Sequence, residues 1–115
     1  MLKRVLVGAH YGLKDWLVQR LTGALLVLFT LGLLIALPFV PNTYEGWHAL
    51  FSHLAMKIAT FTAIVGLVWH IWIGVRDILM DYCQIFWLRM TLLTGMVIFL
   101  FANTVWAFNI LWSVK

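Results

Sequence analysis

The chain has 115 residues, 64% of them hydrophobic and only 10% charged, with a formal net charge of +4. A water-soluble domain carries about 25% charged residues, so there is too little polar side chain here to clothe a soluble globule. The basic residues are scattered over segment ends rather than clustered, which excludes a nucleic-acid face. A single cysteine, Cys83, excludes an internal disulfide; it reads as an interfacial packing residue.

Three long apolar runs predict an all-α integral membrane protein of one domain, residues 1–115, with spans at about 16–40, 56–82 and 87–112. Three helices enclose little interior, so partner subunits are expected to cover much of their surface. Residues 1–15 read as a short basic lead carrying Lys3, Arg4 and Lys14, loosened by Gly8 and Gly12. Asp15 stands where it can cap the first helix, before Trp16. The first run is too long and too aromatic for a signal peptide and is expected to be retained. No Ser/Arg-rich transit sequence precedes it, which favours a bacterial cytoplasmic membrane. The run carries Arg20 near its start and is stopped by Pro38 and Pro41.

Residues 41–53, PNTYEGWHALFSH, read as a loop with part of a short interfacial helix. Asn42, Glu45, Gly46 and His48 fit its surface, while Tyr44, Trp47 and Phe51 fit an aromatic belt. The second span follows, then a tight connection at 83–86. In the third span Thr91, Thr94, Gly95, Asn103 and Asn109 can pack or hydrogen-bond across helices. Lys3, Arg4, Lys14, Arg20, Arg76 and Arg89 fall on the N-terminal side and Lys57 and Lys115 on the other. The positive-inside rule therefore puts the N-terminus in the cytoplasm.

The second span holds the chemistry. At 100° per residue Ala59, Ala63, Gly66, His70, Gly74, Asp77 and Asp81 share one stripe, every member small or ionisable. Ionisable groups in a bilayer face protein or a cavity. A histidine bonded to a neighbouring helix accounts for His70 without any ligand. The glycines one turn either side point instead to a large flat ligand, since they leave the imidazole open to a haem edge. A six-coordinate haem needs a second axial ligand. His53 lies about 25 Å away along the same helix, and His10 and His48 sit in end segments, so that ligand is expected from another polypeptide, with Met96 the alternative within the chain.

Asp81 and Tyr82, where the span leaves the bilayer, fit either ordinary interfacial residues or a quinone site. A quinone head accepts hydrogen bonds at two carbonyls and takes up two protons on reduction, so it needs a donor such as a phenol and a group to orient it or relay protons. Arg20 fits either a snorkelling arginine or a partner for a haem propionate. Arg76 faces away from the stripe and reads as meeting headgroups or a partner; Asp77 is expected to pair with Arg20 or a partner's cation.

KDWLVQR at the head of the first span and HIWIGVRDILMDY at the end of the second resemble the small hydrophobic membrane anchor of bacterial succinate dehydrogenase, respiratory complex II. The specific element is H-x-W-x-G-x-x-x-x-x-x-D-Y, from His70 to Tyr82; length and span order agree over the whole chain. Lys14 stands where enterobacterial members tend to have histidine. The resemblance implies half of a heterodimeric anchor bundle. Such an anchor shares one b-type haem with a second anchor subunit and docks the iron–sulfur and flavoprotein subunits on the cytoplasmic side of the inner membrane. It implies His70 as an axial ligand of the haem iron, Arg20 as a propionate neighbour, and Tyr82 with Asp81 at the site where ubiquinone is reduced. Two other functions are open: a haem-free, quinone-reactive anchor of the fumarate reductase type, and a small oligomeric channel or transport subunit. The channel is disfavoured because the outer half of the stripe, Ala59, Ala63 and Gly66, offers no polar path.

Overall fold

A bilayer core offers a backbone no water, so a spanning segment must satisfy its own N–H and C=O groups, and a helix does so. The computed structural model describes the backbone of residues 2–115 and the side chains of residues 12–115. It contains four α-helices: α1 Leu2–Ala36, α2 Tyr44–Ser52, α3 Leu54–Tyr82 and α4 Phe86–Ser113. No strand is present among the described residues. Three of the helices are long and apolar enough to cross a membrane, at Gly12–Phe39, Leu54–Tyr82 and Phe86–Ser113. At 1.5 Å per residue, α3 is about 43 Å long, more than the roughly 30 Å of bilayer hydrocarbon.

Two sequence expectations change at the N-terminus. Helix α1 runs through Asp15 without a break. Asp15 is therefore an interior helical residue rather than a cap, and Gly12 does not interrupt the helix. Gly8 likewise lies within α1, and the expectations on Lys3, Arg4 and His10 concern side chains outside the described residues. The far end behaves as Pro38 and Pro41 dictate. The α-helix stops at Ala36, tightens into a 3-10 turn at Leu37–Phe39, and the chain becomes extended at Val40.

Helix α2 is the interfacial helix anticipated within 41–53. Thr43 caps it, its hydroxyl accepting from the Gly46 N–H at 3.1 Å. A Cβ on Gly46 would stand 2.5 Å from the Pro41 carbonyl oxygen, so only glycine fits where the chain doubles back. Helix α3 ends at Tyr82, and three residues carry the chain into α4.

Helix α3 is the centre, with α1 packed on one face, α4 on another, and α2 resting against it. The most apolar stretch of α1 contains no buried residue. Ile73, on α3, is only 2% exposed. The polar residues of α4 do not reach across helices as expected. Thr91 and Asn103 bond to the carbonyls of Trp87 and Phe99 on their own helix, and both are exposed, as are Thr94, Gly95 and Asn109.

Candidate functional site in the seam between the first and central helices

Lipid does not reward the burial of leucine against leucine, so membrane helices approach closely where residues are small. Helices α1 and α3 meet in this way, antiparallel, along a regular ladder. Asp15 pairs with Arg76, Gln19 lies opposite Gly74, Thr22 and Gly23 opposite His70, and Leu25 opposite Gly66. A Cβ added to Gly66 would stand 2.8 Å from Leu25 Cδ2, and one added to Gly74 3.5 Å from Gln19 Nε2. The glycines therefore make room for α1. On that side of the stripe, where the sequence suggested space for a flat ligand, the neighbouring helix comes close.

His70 is half-buried in this seam. Its Nδ1 lies 3.0 Å from the Thr22 hydroxyl oxygen, and among the described residues Nε2 has no hydrogen-bond partner. The imidazole thus engages α1 through one ring nitrogen only. Met96 belongs to α4 and has no recorded contact with His70 among the described residues.

Toward the N-terminal end of α1 the seam opens into a cleft of about 270 Å³ lined by Gly12, Asp15, Trp16, Gln19, Arg20, Ile73 and Asp77. Arg20 is exposed at its edge, its guanidinium 5.2 Å from the Trp16 ring centroid, a cation–π contact. Arg20 and Asp77 line the same cleft but form no ion pair. The pair that does form is Arg76 with Asp15, which corrects the expectation that Arg76 turns to headgroups or a partner. Gln19 Oε1 is buried beside the cleft with no hydrogen-bond partner.

Tyr82 and Asp81 stand apart from the seam at the end of α3. Tyr82 is 82% exposed and borders a shallow groove with Ile78, Leu79, Cys83, Gln84 and Ile85. Asp81 is exposed too, and its backbone carbonyl accepts from Gln84 Nε2 at 3.2 Å. The two side chains share no hydrogen bond. The structure therefore gathers His70 and Arg20 along one seam and leaves Tyr82 and Asp81 open to whatever covers that end. No cluster of three or more His, Cys, Asp or Glu able to hold a metal occurs among the described residues.

Sequence reasoning misses Thr22, Gln19 and the Asp15–Arg76 pair as seam residues. The one hint in the sequence is that Gly23 and the Gly66 to Gly74 stripe are both positions where two helices can approach closely; it fixes neither direction nor register. The register that brings Thr22 to His70 is seen only in the structure.

The family model described as succinate dehydrogenase/fumarate reductase transmembrane subunit matches residues 2–110. The chain belongs to this family. It is also similar to the succinate dehydrogenase hydrophobic membrane anchor subunit of Coxiella burnetii, with 40% identity over 105 residues covering 90% of this chain and 91% of the relative. All three spans fall largely within the family match. The protein is thus a multi-pass membrane anchor of the succinate dehydrogenase type, made to work with other subunits of a complex. The large exposed apolar surface of α1 and α4 suits that role, with Leu28 and Ile35 on α1 and Phe101 and Trp106 on α4 each more than half exposed.

Proposed function

We propose that the chain is one half of a two-chain anchor that holds a b-type haem at His70 and borders the site where ubiquinone is reduced by electrons from succinate. The observation that carries this is the half-engaged imidazole: Nδ1 meets Thr22 while Nε2 has no partner among the described residues. That is the arrangement a metal-ligating histidine needs, one nitrogen anchored and the other free. Among the described residues His70 is the one imidazole so arranged, and a second ligand would come from a second anchor subunit. Arg20, at the mouth of the cleft, is placed to meet a carboxylate such as a propionate once it leaves the Trp16 ring.

When bound, the haem supplies a one-electron store within the membrane. The chain's own residues do the rest. Tyr82 donates its phenol hydrogen to a quinone carbonyl, and Asp81 orients that phenol or hands on a proton. Their exposure suits a site completed by the iron–sulfur subunit and the second anchor, with the flavoprotein beyond. Lys14, Arg20, Arg76 and Arg89 lie at the same end as Tyr82, which supports a cytoplasmic N-terminus in a bacterial inner membrane.

One observation favours a second function, a quinone-reactive anchor without haem. Helix α1 approaches both glycines beside His70, and the bond to Thr22 gives the imidazole a role without any ligand. The visible spectrum of the purified, assembled complex separates the two. A reducible low-spin b-type signal is expected, and His70→Ala should weaken it or turn it high-spin. A complex with normal quinone reductase activity and no haem would establish the second function instead. In the same preparation Tyr82→Phe should slow quinone reduction by roughly tenfold or more, the scale of a lost proton donor, while dye-linked succinate oxidation stays unchanged.

A further inference from the structure

We propose that Thr22 is a positioning residue for His70: its hydroxyl holds the imidazole in the tautomer protonated at Nδ1, which leaves the Nε2 lone pair free. The proposal rests on His70 being a haem ligand for its consequence, but the hydrogen-bond logic stands on this chain alone.

Thr22 Oγ1 lies 2.8 Å from the Val18 carbonyl oxygen, 3.2 Å from that of Gln19 and 3.0 Å from His70 Nδ1. A threonine hydroxyl has one hydrogen and two lone pairs. Carbonyl oxygens only accept, so the hydrogen on the shortest contact, to Val18, belongs to the threonine. Toward His70 the same oxygen then has only a lone pair to offer. Nδ1 must carry the hydrogen, and in a neutral imidazole that leaves Nε2 as the basic nitrogen.

Space alone does not set this geometry. A Cβ on the adjacent Gly23 would lie 3.7 Å from His70 Cε1, an ordinary contact. Packing against Gly23 does not choose between the two tautomers; the hydroxyl does. Without it, the tautomer with its hydrogen on Nε2 becomes accessible, and that form cannot bind iron through Nε2. A hydrogen bond from Nδ1–H also makes the imidazole a stronger donor, which stabilises the oxidised iron and lowers the reduction potential.

Two readouts test this. In the full chain, labelled with 15N-histidine and reconstituted in liposomes at neutral pH, His70 is assigned as the resonance missing in His70→Gln. Its Nδ1 should give a protonated-type shift, Thr22→Ser should keep it, and Thr22→Val should yield a tautomer mixture. In the assembled complex, Thr22→Val should raise the haem midpoint potential, while Thr22→Ser should leave it near the parent value. A parent His70 protonated at Nε2, or a Thr22→Val chain with an unchanged tautomer, overturns the proposal. So does a haem potential that serine fails to restore. If the complex holds no haem, the functional proposal falls, and the labelled-chain measurement still decides the role of Thr22.

Discussion

The two seams of α3 are built from different materials. Against α1 it sets Gly66, His70, Gly74 and Arg76, facing Leu25, Thr22, Gln19 and Asp15. Against α4 it sets large apolar and aromatic side chains. Phe61 meets Phe108 and Trp112 edge-on at 5.4 and 6.0 Å, and Phe108 stacks on Trp112 at 4.5 Å. Farther along, Val65, Val68, Trp69 and Trp72 face Val97, Leu100, Phe101 and Thr104 across an apolar groove of about 350 Å³. Both seams join α3 to a neighbouring helix, but only the first does so mainly with groups that have protons, charges or lone pairs to place. Close backbone approach through glycine and directional bonds hold α1; ring packing holds α4. A seam specified by directional bonds suits a ligand site, because those bonds fix side-chain direction, whereas ring packing tolerates sliding.

The largest expected effect comes from forcing the first seam to behave like the second. Gly66→Ala should be nearly silent, since the atom in its way is the tip of the flexible Leu25 side chain. Gly66→Leu cannot be accommodated without parting the helices, and it should cost about 3 kcal/mol. The measurement is the detergent-titration midpoint of the reconstituted chain. Thr22 sits one turn from Leu25, so the same variant should loosen the His70 contact, while the Phe61 cluster keeps its near-ultraviolet dichroism. Equal tolerance of leucine at Gly66 would show that the seam is not closely packed.

The second seam has one directional bond between helices among the described residues, and the sequence gives no hint of it. Lys57 is 9% exposed, and its ammonium donates to the Val114 carbonyl that ends α4. A cation at a helix C-terminus meets both an unpaired carbonyl and the negative end of the helix dipole. Lys57→Met keeps the stem and removes the charge; it should cost about 1.5 kcal/mol and fray the last turn of α4 first, as faster amide exchange at residues 111–114. An unaffected α4 terminus would mean that rings alone fasten this seam.

The spans, the proline stop, the interfacial helix and the connection at 83–86 are legible in the sequence because each depends on local rules of length, capping and hydropathy. So is the stripe through His70, since helical period needs no tertiary knowledge. What the stripe faces is not legible: glycine spacing looks the same whether a ligand or another helix fills the space, and Leu25 carries no mark that points it at Gly66. Lys57 reads only as a marker of its side of the membrane, because its acceptor is a backbone carbonyl far along the chain, and carbonyls are identical in every sequence. Asp15 misleads for a related reason. Before a tryptophan and a long apolar run it looks like a cap, and only the register with α3 reveals Arg76 opposite.

That last pair gives the smallest expected effect and the finest test of the comparison. Asp15 and Arg76 close the first seam at its N-terminal end, with side chains 34% and 32% exposed. Water therefore screens the attraction, and exposed pairs of this kind contribute little. Asp15→Asn and Arg76→Gln, singly and together, should give a coupling energy of about 0.5–1 kcal/mol, shrinking as salt is raised. The helix register, already fixed by Gly66 and Gly74, should survive either change, so the His70 tautomer should not move. A coupling several times larger would place the pair among the determinants of the seam, and the glycines would then follow from the ion pair rather than the reverse. A loss of the Nδ1-protonated form in Asp15→Asn would carry the same meaning, because charge at the end of α1 would then be setting the direction of an imidazole two turns away.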